Sequence, residues 1–321
     1  MRFFQTIKSK TTSRPLRQLR EIVLAYRKLQ IPYEQIQLDL NLEQTSFEVY
    51  TIAVLSHQEE HYHVLRQLFS LEQILEIELK LSNFFKDLKQ SIVKKIWYPL
   101  LLLAFLYGIL TLFIFRLFPS LTSLLKDFDI HNWILDALFV LIFLIYLIIT
   151  ISALISLVLI VLLFNYQNQK LLILILKKYK FFNLIKKIYT QMFAYLYRLY
   201  LSYGASTQQI LTLLVQAPFS RITRWLATLT IYQLDDGLRL DRAFHKELFD
   251  ASFIRFIRIA SLSDQLDYFL EAYLEVNQKQ IDYRISKLAK VLQTFVFALI
   301  GLLLIILYQM LFAPMQLLNT L

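Results

Sequence analysis

No cysteine occurs among the 321 residues of the chain. That absence excludes disulfides, thiolate nucleophiles and cysteine-ligated metals, and it leaves the compartment undetermined. Glycine is almost as scarce, at four residues. Four scattered glycines make neither a G-x-x-x-x-G-K-[ST] phosphate loop nor a G-x-G-x-x-G dinucleotide turn, and no G-x-S-x-G elbow is present. Nothing resembles a strand pair joined by hairpin chemistry. The chain is therefore expected not to be an enzyme, and no catalytic, cofactor-binding or metal-binding residue is assigned. Any energy-consuming work it joins draws its ATP hydrolysis from another subunit.

What fills the chain is apolar: 57% of it is hydrophobic. One motif occurs twice, as a basic helical segment, an apolar run and a proline. The first copy is KKIWYPLLLLAFLYGILTLFIFRLFPS, from Lys94 to Ser120, and the second KLAKVLQTFVFALIGLLLIILYQMLFAPM, from Lys287 to Met315. Each run is about twenty residues, matching a hydrocarbon core of roughly 30 Å at about 1.5 Å per residue. A third apolar stretch, Ile134 to Phe164, is longer than a bilayer needs and must tilt or extend past the headgroups. The spans carry no paired carboxylates or buried cations of the kind that mark ion-coupled transport. Thr150, Ser152 and Ser156 are read as packing residues.

Of 34 Lys and Arg, only Arg116 and Lys126 lie in the spans, the first loop or the tail; the other 32 (34 − 2) lie before Ile96 or between Asn165 and Val291. Positive flanks stay on the cytoplasmic side. The expected order is a cytoplasmic helical domain at 1–96, a span at 97–119, an external loop at 120–133 and a span at 134–164. A second cytoplasmic domain at 165–290, a span at 291–313 and an external tail at 314–321 complete it. The fold class is all-α: a multi-pass protein of the cytoplasmic membrane, N-terminus inside, with two helical-bundle domains and three transmembrane helices. The N-terminal stretch lacks an apolar core of signal-peptide length, so no export of the first segment is expected. The basic clusters (Lys86, Lys89, Lys94 and Lys95; Lys177, Lys178, Lys180, Lys186 and Lys187; Lys287 and Lys290) fit anionic headgroups at about 1 kcal/mol per residue. No direct nucleic-acid binding is expected.

Both soluble segments read as helices throughout. Leu16, Leu19, Ile22, Val23 and Tyr26 keep helical spacing, as do Leu65, Leu68, Phe69 and Leu75. Turns fall near Ile31-Pro32 and from Asn41 to Thr45. Gly108 and Gly301 sit inside the first and third spans, where a missing side chain permits close helix contact. Gly204 and Gly237 each follow one apolar helical run and precede another, as left-handed C-cap residues do, with Ser206, Thr207 and Asp241 as following N-caps. The first segment overlays the second from the Gly237 corner onward, KLQIPYEQI against DDGLRLDRAF, and has no counterpart of the Gly204 hairpin. It is a shortened copy with a non-glycine corner.

His57-Gln58-Glu59-Glu60-His61 satisfies H-x-x-E-H, in which two histidines a helical turn apart bind zinc and a glutamate activates water. No catalytic domain surrounds it, so it is read as a solvated polar helix face. The acidic residues Asp235, Asp236, Asp241, Glu247, Asp250, Asp264, Asp267, Glu271 and Glu275 are read as helix ends and outer faces that offer a docking face to a basic partner.

This ordering of domain, span, short loop, span, domain and span resembles the type II secretion F and type IV pilus platform family over nearly the whole chain. Leu199 to Leu214 around Gly204 and Leu234 to Phe244 around Gly237 are similar to its corners. VLQTFVFALIG followed by APMQLLN resembles its close, at Pro314. Ile96-Trp97-Tyr98-Pro99 resembles its entry into the first span, Pro99 then standing at a first-turn position, and Pro119 ends that span. Small size and a reduced first domain are similar to the Gram-positive competence members. The family's Gly-Glu pair is replaced by Ala260-Ser261 and Asp264, and Glu59-Glu60-His61-Tyr62 stands in the similar place of the first copy. The resemblance implies a non-enzymatic platform without cofactors. Its partners would be a hexameric assembly ATPase, pilin or pseudopilin subunits, membrane lipids and further copies of itself. In a competence system the filament serves DNA uptake. The alternative, a membrane-embedded transporter subunit, needs a polar path that these spans lack, and a membrane protease using His57 and His61 would require zinc.

Overall fold

A computed structural model describes residues 16–42, 46–55, 59–127, 133–164, 183–217, 221–263 and 265–318. These residues are helical almost throughout, with no strand among them. The first half contains α1 (Leu16–Lys28), α2 (Tyr33–Leu40), α3 (Phe47–Leu55), α4 (Glu59–Leu68) and α5 (Leu71–Leu112). A π turn (Phe113–Leu117), α6 (Phe118–Asp127) and α7 (Trp133–Phe164) follow. Next come α8 (Asn183–Ser202), α9 (Thr207–Gln216), α10 (Arg221–Asp235), α11 (Leu240–Ala243), α12 (Ala251–Ser263) and α13 (Leu266–Leu318). The chain divides into two compact units, residues 1–90 with 176–281 and residues 91–175 with 282–321. Lys177, Lys178, Lys180, Asp264 and His57 lie outside the described residues.

In the first unit both sequence copies feed one core. Tyr62, Leu65 and Phe69 around α4, and Ile74, Ile77 and Leu81 of α5, join Phe193, Tyr197 and Tyr200 of α8, Leu211 and Leu214 of α9, and Phe253 and Ile257 of α12. The missing hairpin explains the sharing. The first copy has no α8–α9 pair of its own, so the apolar faces of its α4 and α5 are buried against the hairpin of the second copy. Phe84 stacks on Tyr195 at 3.8 Å, and Lys80 donates to the Tyr203 hydroxyl at 3.0 Å. A satellite cluster of Leu19, Val23, Leu24, Ile36, Tyr50 and Leu75 fastens α1 and α2 to α5. The half-buried Arg20–Glu78 pair at 3.4 Å runs alongside it.

In the second unit, Leu106, Leu110, Phe113 and Ile114 pack with Ile142 of α7 and with Val296, Leu303 and Ile306 of α13. The stretches Leu71–Ser120 and Leu266–Tyr308 are long and apolar enough to cross a bilayer, and Phe139–Leu154 is a shorter apolar helix beside them. Only 22% and 17% of the most apolar windows of the two long stretches are buried within the chain. A core helix of a water-soluble protein would be mostly covered, so these faces are built for lipid or for other membrane helices. Thr150 donates to the Tyr146 carbonyl at 2.8 Å and to the Tyr107 hydroxyl at 3.4 Å, and the Tyr107 and Tyr146 rings stack at 5.0 Å. Thr150 is thus a packing residue between α5 and α7.

Three expectations about this unit are corrected. Pro99 is inside α5, which begins at Leu71, rather than in the first turn of a span helix. Its ring leaves the Lys95 carbonyl without a helical donor. An added Cβ at Gly108 or Gly301 would meet nothing within 4 Å, so neither glycine serves a close helix approach within the chain. The segment read as an external loop is largely α6, entered through the π turn. Pro119 accounts for that turn: it cannot donate to the Phe115 carbonyl, and the Phe118 N–H bonds Phe113 instead. Ser120 Oγ takes up the Arg116 carbonyl at 2.9 Å. Pro314 lies within α13 near its end.

Candidate functional site

The helix corners repeat one hydrogen-bond design. Gly204 and Gly237 hold φ of +85° and +80°, in the left-handed region that side chains with a Cβ disfavour. Gly204 N–H donates to Leu201 O at 2.9 Å and Ala205 N–H to Tyr200 O at 3.2 Å. Gly237 and Leu238 do the same to Leu234 and Gln233. This is the Schellman pattern. The first copy repeats it without glycine. Gln30 at φ 60° and Ile31 bond Arg27 and Tyr26, and Asn41 at φ 52° and Leu42 bond Leu38 and Gln37. Gln30 therefore stands where the overlay puts Gly237. Ser206 forms a capping box with Gln209, and Ser70 repeats it with Gln73 at the start of α5. Asp241, expected as an N-cap, sits inside the first turn of α11, whose N-cap is Arg239.

Behind these corners is a polar cluster that the sequence did not announce. Lys187, counted with the membrane-face lysines, is 3% exposed, and Asp250, counted with the solvated acids, is 4% exposed. Lys187 Nζ lies 3.1 Å from Asp250 Oδ1, 3.3 Å from Asn277 Oδ1 and 2.7 Å from Gln280 Oε1. Three donors meet three acceptors, so the ammonium is saturated and has no lone pair to offer as a nucleophile. Asp250 also accepts from Ser252 N at 3.0 Å, capping α12, while its own N–H donates to Thr190 Oγ1 at 3.1 Å. Asn277 Nδ2 reaches the Lys187 carbonyl at 3.2 Å and Gln191 Oε1 at 2.8 Å. Burial pushes the neighbouring Lys186 downward and the Tyr273 phenol upward, Tyr273 further so by the Asp250 charge. The cluster ties α8, the start of α12 and α13 together. It is a structural lock.

His61 is likewise not a solvated residue. It is 3% exposed, with Nε2 3.4 Å from the Tyr200 hydroxyl, and burial pulls its pKa down to about 4. Among the described residues no group of three or more His, Asp and Glu side chains is placed to hold a metal.

The helical fold and the uncovered apolar faces define an all-α membrane protein. Residues 193–314, from the core of α8 through both glycine corners to Pro314, match the family of the type II secretion system (T2SS), protein F. No curated protein and no solved structure matches the chain.

Proposed function

We propose that the chain is a platform protein of the cytoplasmic membrane for assembly of a type IV-like pilus or type II secretion pseudopilus. It couples a separate cytoplasmic ATPase to the lifting of pilin subunits out of the bilayer. The single observation that carries this reading is the match over residues 193–314, which takes in both glycine corners, Asp250 and Asn277 of the lock, and the last apolar run. The lock suits the role: three helices joined by a saturated ion pair transmit a load without shearing. The finer reading is a competence pilus serving DNA uptake, supported by the reduced first copy. No catalytic step is assigned to the chain itself. Its topology is N-terminus inside, three spans and an external tail, as the positive flanks direct.

Deleting the gene tests the reading. Surface filaments are expected to disappear, and transformation with them, while pilin synthesis continues. A deletion strain that still assembles filaments and transforms normally would overturn it. Because the chain has no cysteine, a single cysteine added after Leu321 reports the tail directly. Labelling of that cysteine by an impermeant thiol reagent from outside is expected, and protection from it would sink the topology.

A further inference from the structure

The two long helices that carry apolar runs, α5 and α13, are tied together by one carboxylate. Asp282 Oδ1 of α13 accepts from Ser91 Oγ of α5 at 2.6 Å and also from Lys95 Nζ, the side chains of that ion pair being 31% and 32% exposed. Further along, Leu106 and Leu110 of α5 share a core with Val296 and Leu303 of α13. The helices therefore run side by side in the same direction, with Lys95 level with Asp282. All of these residues belong to the unit of residues 91–175 and 282–321.

Aromatic rings fix the depth of this tie. Trp97 and Tyr98, just after Lys95, are 64% and 53% exposed, and Tyr283, next to Asp282, is 67% exposed. Exposed Trp and Tyr at the mouth of an apolar run settle at the level of the lipid headgroups. On α5 the run opens at Leu100, five residues past Lys95 (100 − 95), and the level position on α13 is Lys287 (287 − 282). By the same count Lys290 is level with Leu103. A helical side chain leans toward the N-terminus of its own helix. Both lysines therefore lay their stems along apolar surface and return their ammonium groups to the headgroup level.

Charge at this level is one-sided. Residues 91–100 and 282–296 hold Lys94, Lys95, Arg284, Lys287 and Lys290 against a single acid, Asp282, a net of +4 (5 − 1). Lys94, Arg284, Lys287 and Lys290 are exposed, and none has an acidic partner among the described residues. The basic cluster that runs from Lys86 to Lys95 in sequence is thereby divided, since Lys86 and Lys89 belong to the other unit, while Arg284 joins from outside every sequence cluster. A zwitterionic lipid brings a cation along with its phosphate, whereas an anionic lipid brings negative charge that these side chains can neutralise. We propose that this level of α5 and α13 is a binding site for the phosphate of anionic phospholipids. Lys94, Arg284, Lys287 and Lys290 are its cations, and Asp282 sets its strength by neutralising Lys95. The site rests on the membrane reading alone and is independent of the platform role.

Trp97 reports on the site directly. In the full chain carrying Trp133→Phe and Trp225→Phe it is the sole tryptophan, and its fluorescence is read in phosphatidylcholine bilayers that hold a minor share of nitroxide-labelled lipid. Labelled phosphatidylglycerol is expected to quench more strongly than labelled phosphatidylcholine, and the excess should shrink as salt rises. Lys287→Gln and Lys290→Gln should each cut the preference by up to about fivefold, which is about 1 kcal/mol at tenfold per about 1.4 kcal/mol. Asp282→Asn should shift it the other way, because it releases Lys95 to the lipid, and a variant that merely disturbed the helices would not gain preference. Sodium phosphate should reduce the excess no more than sodium chloride of equal ionic strength. Equal quenching by the two lipids, a preference untouched by the lysine variants, a fall with Asp282→Asn, or displacement by free phosphate beyond that by chloride would each overturn the proposal.

Discussion

Replacing Lys187 by methionine removes the ammonium but keeps most of the side chain's length and apolar stem. What is left behind is the Asp250 carboxylate, 4% exposed, with the Ser252 N–H still donating to it at 3.0 Å. Water cannot reach it to replace the lost charge. Removing one partner of a buried ion pair in this way costs about 3–5 kcal/mol. In a helical unit of this size each kcal/mol lowers the thermal midpoint by roughly 2–4 °C, so the fall expected is roughly 6–20 °C. Asp250→Asn should cost a similar amount, because the amide can still cap α12 while the ammonium is stranded. The double variant Lys187→Met/Asp250→Asn is the informative one. With neither charge present there is nothing to desolvate unpaired, and it should be more stable than either single variant. Circular dichroism melts of the full chain in detergent provide the measurement. If Lys187→Met melts within about 2 °C of wild type, or if the two losses simply add in the double variant, the buried-pair reasoning is wrong.

Three further outcomes are expected. His61 is held neutral by burial, its pKa depressed from 6.5 to about 4, so the unfolded state binds the extra proton between those values. Stability is then fully present above pH 6.5 and lost as pH falls toward 4, by about 3 kcal/mol at the limit; His61→Leu should flatten that slope in melts taken from pH 7.5 to 4.5. Gly204→Val and Gly237→Val should each cost about 1 kcal/mol or more through the positive φ alone, since open space surrounds both sites; unchanged midpoints would refute the corner strain. Gln30→Gly should have the opposite sign, stabilising by up to about 1 kcal/mol, because it relieves a left-handed Cβ at the matching corner. A destabilised Gln30→Gly would show that the side chain does more at that corner than occupy a strained backbone.

The contrast between Gly237 and Gln30 shows where sequence reasoning holds. The helical periodicity, the apolar runs and the two glycine corners were legible because each depends on residues close together in the chain. Gln30 carries the same turn, but only the overlay of the two copies pointed to it, since glutamine has no preference for that conformation. The shared core was not legible. It arises because residues 123 apart, Lys80 and Tyr203, meet when the first copy lacks a hairpin of its own.

Lys187 and Asp250 were misread for the same kind of reason. Lys186 and Lys187 are neighbours in a basic cluster, and adjacent helix residues differ by about 100° in direction, so one half-exposed lysine and one buried lysine look alike in sequence. Register along α8 does not separate them either: Lys187 shares its face with the buried Gln191 and Ala194, at four and seven residues, and Lys186 shares its own with the buried Thr190 and Phe193. A lysine on an apolar stripe needs an acid from another element, and Asp250, directly before the helix run ASFIRFI, is where an N-cap carboxylate is expected. Pairing the two from sequence would have required knowing that α8 and the start of α12 meet. That contact joins residues 63 apart (250 − 187) and is fixed by packing, not by local propensity.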